Sequence, residues 1–233
     1  MFPNLPASAT LAFMSPCPRI KICCIQSVAE ARAAVAHGAD AIGLVSAMPS
    51  GAGIIADERL IPEIAAAVPP PVATFLLTSL TDTAAIIAQH QRCRTSTLQL
   101  VDALTRGTHA DLRRALPGIR IVQVIHVRDD ASVAEALAAA PQVDALLLDS
   151  GNPALAVKEL GGTGRTHNWA LSRRIVETCG KPVFLAGGLR PDNVAAAWAA
   201  VRPFGFDICN GVRTHDKLDE QKLAAFFGAV AAL

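Results

Sequence analysis

Eight apolar runs alternate with alanine-rich segments of helical period along the chain, and this alternation restricts the fold more than any other feature. Short runs rich in β-branched residues, bounded by glycine, proline or polar residues, predict buried strands. Eight strand–helix units spaced about 27 residues apart predict an α/β fold, a single (β/α)8 barrel, rather than an open sheet. The predicted strands are 20–25, 41–45, 72–76, 97–101, 121–126, 145–149, 183–186 and 206–209.

Three of the predicted helices begin at recognisable signals. Ser27 is expected to cap the first helix, with Glu30 three residues later completing a capping box. Ser132, followed by Glu135, predicts the same arrangement before the sixth strand. Pro191 is expected to begin the seventh helix, because the N–H that proline lacks has no helical partner in the first turn.

Length and composition describe one large globular domain. The 233 residues are 52% hydrophobic and only 18% charged, which excludes a disordered chain. The 21 basic and 20 acidic residues leave a net charge of +1, so neither nucleic acid nor an anionic membrane is an expected partner. The longest uncharged run, 64–81, contains three consecutive prolines and predicts no membrane span.

The cysteines and the N-terminus complete the expected organisation. Six cysteines are scattered without a Cys-x-x-Cys pair or a metal-ligand spacing, which is typical of a reducing compartment and predicts a cytoplasmic protein. Residues 1–18 lack the basic start of a signal peptide, and we expect them to be a disordered extension. The barrel domain is then expected to occupy 19–233.

The segment 181–213 predicts a phosphate site. It contains two predicted strands joined by a helix, with Gly187-Gly188 after the first strand and Asn210-Gly211 after the second. Glycines at strand tips leave backbone N–H groups uncovered, and such groups bind phosphate. Because the loops after strands seven and eight of a barrel often bind phosphate, a small phosphorylated substrate is the expected partner.

A thiol and a carboxylate are expected to converge above the barrel core. Period-two alternation places Lys21, Cys23 and Ile25 on one face of strand one, and Asp149 on the inward face of strand six. One group that takes a proton from carbon and another that gives one to oxygen are what an isomerase needs. Lys21 either lowers the pKa of the Cys23 thiol or pairs with Asp207 on strand eight. The alternative is that Cys23 fills the core and that Asp149 caps a turn.

Six sequence blocks carry a further signal. They are K-I-C at 21–23, G-A-D-A-I-G at 38–43, L-L-L-D-S at 146–150, G-G-T-G-R-T-H-N-W at 161–169, A-G-G-L-R-P-D-N-V at 186–194 and R-P-F-G-F-D at 202–207. In this order they resemble phosphoribosylanthranilate isomerase, a (β/α)8 enzyme of tryptophan biosynthesis. The resemblance implies an Amadori rearrangement from aldose to ketose, with Asp149 as general acid and Cys23 as general base. It also implies that Gly162 and Gly164 bind phosphate, and that neither a metal ion nor an organic cofactor is needed.

Four positions depart from the motifs of that family. Gly53 stands where an arginine is expected to grip the anthranilate carboxylate, and Cys24 replaces the glycine of the opening motif. Val101 replaces a histidine after strand four, and Arg213 replaces an acid after strand eight. Because the acid, the base and the phosphate loops remain, the pattern indicates retained chemistry on an altered substrate. We hypothesise that Arg213 supplies a new anion contact.

Three functions are compatible with these features. The leading one is an isomerase of the phosphoribosylanthranilate type, acting on that substrate or on a different phosphoribosyl amine. The second is a non-catalytic barrel that binds a phosphometabolite. The third is another barrel enzyme such as a phosphosugar aldolase or epimerase, although Lys21 lies two residues below the strand tip where a Schiff-base lysine belongs. A monomer and a homodimer are both compatible with the helix faces rich in alanine and leucine.

Overall fold

The computed structural model describes residues 17–49, 51, 53–151 and 166–233, and within them the predicted barrel is confirmed. Eight parallel strands form one closed sheet in sequence order. They are β1 (Arg19–Ile22), β2 (Ala41–Val45), β3 (Ala73–Thr78), β4 (Thr97–Leu100), β5 (Arg120–His126), β6 (Ala145–Asp149), β7 (Val183–Leu185) and β8 (Gly205–Ile208). Strands β2 and β6 have the predicted bounds, and the others differ at one or both ends.

The barrel closes where β1 pairs with β8. Lys21 lies opposite Asp207 in this register, so the two strands place a cation and an anion side by side. Close approach also requires Gly205 at the start of β8, because a Cβ there would lie 2.7 Å from the carbonyl oxygen of Arg19. The residue types on both strands therefore favour this closure.

Helices connect successive strands and surround the sheet. They are α1 (Val28–Ala36), α2 (Leu60–Ala66), α3 (Thr83–Cys93), α4 (His109–Ala115), α5 (Asp130–Ala139), α6 (Trp169–Thr178), α7 (Val194–Val201) and α8 (Glu220–Ala231). A small antiparallel hairpin, β9 (Arg213–Thr214) and β10 (Lys217–Leu218), lies between β8 and α8.

Two of the predicted caps need correction. The Ser27 hydroxyl accepts the N–H of Glu30 at 3.1 Å as expected, but the Glu30 carboxylate accepts the N–H of Gln26 instead of completing a capping box. The prediction that Ser132 caps the fifth helix is wrong. Asp129 is the N-cap of α5, and Ser132 lies at the third helical position in a capping box with it. An aspartate accepts backbone N–H groups at a helix start at least as well as a serine, so the earlier residue takes the cap.

The predicted start of the seventh helix is also wrong. Pro191 lies in a turn, and α7 begins only at Val194. The Asn193 side chain closes that turn, because its Oδ1 accepts the N–H of Arg190 at 2.8 Å and its amide donates to the carbonyl of Gly188 at 2.9 Å. A side chain that bonds to nearby backbone in this way competes with helix formation.

Apolar side chains form two layers, one inside the barrel and one between the sheet and the helices. The outer layer includes Ile20, Ile22, Ile121 and Ile125, whereas the inner one includes the strand residues that alternate with them. The inner members are Cys23, Cys24, Ala41, Val45, Phe75, Leu77, Val101, Val122, Val124, Ala145, Leu147, Phe184 and Ala186. A filled interior means that the barrel is a packed core whose chemistry is confined to its ends.

Strand β1 ends earlier than predicted. It stops at Ile22, and Cys24 adopts a positive φ of 61° two residues later. This conformation breaks the period-two alternation, so the prediction that Ile25 shares a face with Lys21 and Cys23 is wrong. Ile25 packs in the outer layer.

Most of the predicted N-terminal extension, residues 1–16, lies outside the described residues. Across the described segments, no helix combines the length and the apolar character that a bilayer crossing requires.

Candidate active site

Cys23 lies just beyond the end of β1, inside the mouth of the barrel. Its backbone N–H donates to the carbonyl of Ile208, and its side chain is 5% exposed. A hydrogen bond with the Cys24 thiol, burial and the nearby Asp207 carboxylate raise the pKa of the Cys23 thiol well above its usual range, and Lys21 only partly opposes them. Lys21 thus acts in the predicted direction, but the other contributions outweigh it, and Cys23 is a neutral thiol in the substrate-free protein.

Lys21 and Asp207 form the ion pair that the sequence predicts. Nζ lies 2.8 Å from Oδ1, and the lysine side chain is fully buried. Burial is the largest single contribution and lowers the pKa of Lys21, but the charges and hydrogen bonds of Asp207 and Cys23 together outweigh it and raise the pKa. Nζ also lies 5.2 Å from the ring centre of Phe75, so the cation is enclosed by an anion and an aromatic face.

Asp149 ends β6 on the same inward face as Leu147, as predicted. Its Oδ1 accepts the N–H of Ser150 at 2.7 Å, and its side chain is 8% exposed. His167 belongs to the same region, because burial lowers its pKa to about 4 while the charge of Asp149 opposes that shift. At neutral pH the carboxyl group therefore has an uncharged imidazole near it.

The loops after β7 and β8 contact each other directly. Gly187 and Gly188 have φ values of 80° and 61°, which other residues rarely adopt. A Cβ on Gly211 would lie 2.1 Å from the carbonyl oxygen of Leu189, so only glycine allows this approach. Asn210 begins the short 3₁₀ helix that contains Gly211. The structure thus brings together four of the six predicted phosphate-binding residues, whereas Gly162 and Gly164 lie outside the described residues.

Cys24 and Gly53, two of the departures from the family motifs, are in contact. A Cβ on Gly53 would lie 2.3 Å from Sγ of Cys24, so the thiol occupies the space that a side chain at 53 would need. The thiols of Cys23 and Cys209 are close enough to shift the pKa of the Cys24 thiol. The space beside the expected arginine position is thus filled by the Cys24 thiol.

Arg213 is bound within the protein. Its Nη2 lies 2.9 and 3.0 Å from the two carboxylate oxygens of Glu30, and its Nε donates to the carbonyl of Asp216. The side chain is 8% exposed, and Nη1 has no hydrogen-bond partner within the described residues. The ion pair with Glu30 joins α1 to the β9–β10 hairpin.

His126 is a residue at the mouth that the sequence interpretation missed. It ends β5 directly opposite Asp149 in the β5–β6 register, and it is 6% exposed. The alternation that placed Asp149 inward also applies to β5, where Val122 and Val124 line the interior. The same argument would therefore have placed His126 at the mouth.

Metal ligation has no support in the described part of the chain. None of its histidine, cysteine, aspartate and glutamate side chains form a group of three that could hold a metal ion.

The fold and its mouth define the class of protein: a closed (β/α)8 barrel that presents a thiol after β1 and a carboxyl group on β6, beside two glycine loops. Residues 20–229 match the family model of N-(5'phosphoribosyl)anthranilate (PRA) isomerase. The chain belongs to this family, as the resemblance of the six blocks implied.

Individual relatives agree with this assignment. N-(5'-phosphoribosyl)anthranilate isomerase 2 of Methanosarcina mazei is 34% identical over 209 residues, which cover 89% of this chain and 92% of the relative. Phosphoribosyl anthranilate isomerase from Thermotoga maritima has a TM-score of 0.77 and 26% identity, covering 93% of this chain and 100% of that one. A phosphoribosyl anthranilate isomerase in complex with reduced 1-(O-carboxyphenylamino)-1-deoxyribulose 5-phosphate has the same fold, with a TM-score of 0.73, 24% identity and coverage of 93% and 100%.

Proposed function

We propose that this chain catalyses the isomerisation of N-(5'-phosphoribosyl)anthranilate, the aldose-to-ketose step of tryptophan biosynthesis. The observation that carries the proposal is the presence of Cys23 and Asp149 inside one barrel mouth, in a chain that belongs to the isomerase family. The reaction needs one proton donor at oxygen and one proton acceptor at carbon, and these are the two groups that the mouth offers.

Asp149 acts first in this scheme. Its carboxyl group gives a proton to the ring oxygen as the C1′–O bond breaks, and the substrate nitrogen lends its electron pair to form an iminium ion. The substrate thereby supplies its own electron sink, so no cofactor is needed. Asp149 is buried, and the His167 imidazole near it is uncharged. A charged imidazolium would favour the carboxylate over the protonated acid, so an uncharged ring suits a group that must donate a proton.

Cys23 acts second and removes the proton on C2′, which gives an enolamine that becomes the ketone. The raised pKa of the resting thiol means that Cys23 must first release its own proton to solvent, so that the thiolate forms when substrate is present. The positive iminium ion favours a nearby anion, so ring opening by Asp149 lowers the cost of ionising Cys23. Lys21 assists in the same direction, although Asp207 already neutralises most of its charge.

The phosphate group binds at the loops after β7 and β8 in this proposal. Gly187, Gly188, Asn210 and Gly211 supply that surface, and Gly162 and Gly164 complete it from the loop after β6. Positive φ values at two of these glycines and the close backbone approach at Gly211 support an exposed row of N–H groups, which favours phosphate.

The place where the substrate carboxylate would bind motivates a second candidate function. With Cys24 filling the space beside Gly53, no arginine side chain can occupy this position without a change in both residues. Arg213 is the proposed replacement, through the nitrogen that Glu30 leaves unpaired. If this contact is not made, the chain acts on a different phosphoribosyl amine or binds phosphometabolites without turnover.

Cellular context is part of the same proposal. The balanced charge and the unpaired cysteines favour a cytoplasmic monomer or homodimer that binds neither nucleic acid nor membrane.

The test is a turnover assay that follows the loss of anthranilate fluorescence from phosphoribosylanthranilate. We expect Cys23→Ser and Asp149→Asn each to lower kcat/KM by about 100-fold or more, because positioned acids and bases contribute that much. Cys179→Ser is the matched control, since this thiol bonds to the carbonyl of Lys181 before β7, away from the mouth. It should leave turnover unchanged.

Other outcomes separate the alternatives. Turnover that survives both substitutions would contradict the assigned roles. Absence of turnover together with binding of reduced 1-(o-carboxyphenylamino)-1-deoxyribulose 5-phosphate, measured by calorimetry, would favour a binding role or another amine.

A further inference from the structure

The imidazole of His126 lies in the barrel mouth beside the proposed general acid. His126 follows Val122 and Val124 on the inward face of β5, whereas Ile121 and Ile125 face the outer layer. In the parallel register with β6, His126 is opposite Asp149. An aliphatic residue could fill this space, so the presence of a polar ring needs a reason.

Hydrogen bonding assigns the proton on this ring. Nε2 of His126 lies 3.0 Å from the carbonyl oxygen of Val101. A carbonyl only accepts, so Nε2 carries the hydrogen and Nδ1 of the neutral ring carries a lone pair. The bond therefore fixes both the tautomer and the orientation of the imidazole.

The other ring nitrogen has no partner in the described part of the chain. Nδ1 is buried and no group within the described residues forms a hydrogen bond with it. Buried polar atoms are usually satisfied, and one that is not carries a cost in stability. Nδ1 of His126 is such an acceptor, in a residue that is only 6% exposed. A ligand that donates a hydrogen bond to Nδ1 would satisfy it.

The anchor of this ring has its own significance. Val101 stands where the family motif after strand four has a histidine, and His126 bonds to the backbone of that same residue. An imidazole from β5 therefore lies next to the position at which the usual motif would supply one from β4. The two positions are adjacent because β4 and β5 are paired strands.

We propose that Nδ1 of His126 accepts a hydrogen bond from a hydroxyl group of the ribosyl moiety and so fixes the sugar beside Asp149. The inference rests on the proposed function, because it concerns the same substrate in the same mouth. A lone-pair nitrogen accepts from a neutral donor and not from a carboxylate or phosphate, and the ribosyl hydroxyls are the more numerous neutral donors of this substrate, beside its single amine N–H. His126 is thus a residue that binds substrate and favours a hydroxylated sugar.

Two substitutions separate the two nitrogens. His126→Gln can keep a donor near the position of Nε2 and its bond to Val101, but it removes the acceptor at Nδ1. His126→Asn keeps a polar group near Nδ1 and loses the bond to Val101. We expect His126→Gln to lower kcat/KM and the affinity for the reduced product analogue by about 10-fold or more, and His126→Asn to lower them by less than about 3-fold.

A matched control comes from outside the barrel. His109 forms hydrogen bonds with Gln123 and Gln142 on the outer side of β5. His109→Gln repeats the same chemical change there, and it should leave kcat/KM unchanged. Thermal unfolding of each variant reports any loss of fold separately from the loss of substrate contact.

The outcomes distinguish this inference from the function on which it rests. If the wild-type chain turns over phosphoribosylanthranilate and His126→Gln does so equally well, only the His126 inference is overturned. The reverse ranking, in which His126→Asn is impaired and His126→Gln is not, overturns it too, because the ring would then act only through its anchor on Val101. A wild-type chain that neither turns over the substrate nor binds the analogue would overturn both proposals.

Discussion

The two sides of the barrel mouth keep their shape in different ways. On the β7–β8 side, backbone geometry decides the structure, since Gly211 approaches the carbonyl of Leu189 too closely for any side chain. On the β1–β2 side, side chains decide it, since the Cys24 thiol fills the space beside Gly53.

This difference explains which motifs are retained. The contact between the loops after β7 and β8 tolerates no side chain at Gly211, because a Cβ there would alter the approach of the backbone itself. A surface made of paired side chains can exchange one pair for another while the backbone stays in place. The β1–β2 side is therefore where substrate preference can change without loss of the barrel.

The largest expected effect concerns the ion pair that links the two sides. Lys21→Met leaves Asp207 buried without its cation and should lower the free energy of unfolding by about 3–5 kcal/mol, as measured by urea denaturation. The double variant Lys21→Met/Asp207→Leu removes both charges and should lose less. A double variant that is no more stable than Lys21→Met would contradict this account of the pair.

A smaller effect is expected on the β7–β8 side of the mouth, where backbone geometry decides the structure. Gly211→Ala places a Cβ where the carbonyl of Leu189 already lies, and it should lower the free energy of unfolding by about 1–3 kcal/mol. Inhibition by inorganic phosphate should weaken by about 10-fold, on the order of 1.4 kcal/mol of binding free energy. Gly228→Ala is the control, because its Cβ would meet nothing within 4 Å. Equal effects of the two changes would remove the distinction between the two sides.

The smallest effect is expected on the β1–β2 side of the mouth, where side chains decide the structure. Gly53→Ala should lower the free energy of unfolding by about 1–2 kcal/mol, because its Cβ meets the Cys24 thiol at a residue with positive φ. Cys24→Gly should recover the steric part in the double variant, with a coupling of about 1 kcal/mol. Gly51→Ala isolates the conformational part, since Gly51 has a φ of 72° and open space around it. Additive effects of Gly53→Ala and Cys24→Gly would mean that the two positions are independent.

Much of the site was predictable because strand alternation is a local property. The inward direction of Cys23 and Asp149 followed from period two, and the Lys21–Asp207 pair followed from the neighbourhood of the first and last strands of a closed barrel. The same alternation failed at Ile25, because the positive φ of Cys24 ends it. A cysteine in the sequence does not indicate such a backbone conformation.

Helix starts were less predictable because neighbouring residues compete for the same N–H groups. Ser132 had the right residue type for a cap, but Asp129 lies three residues earlier and takes that role. Pro191 was expected at a helix start, and the Asn193 side chain instead stabilises a turn. Residue type allowed both arrangements, and the side-chain hydrogen bonds of Asp129 and Asn193 to the backbone selected one.

The sequence by itself determined the number and order of the strands, the parallel barrel and the family, because these follow from periodicity and from motifs in a fixed order. Only the tertiary structure decided that burial and Asp207 add to the raised pKa of the Cys23 thiol, that Arg213 is paired with Glu30 and that Nδ1 of His126 has no hydrogen-bond partner among the described residues. Asp207, Glu30 and Asp149 are far in the chain from the residues that they face, and these distances are set only when the barrel closes.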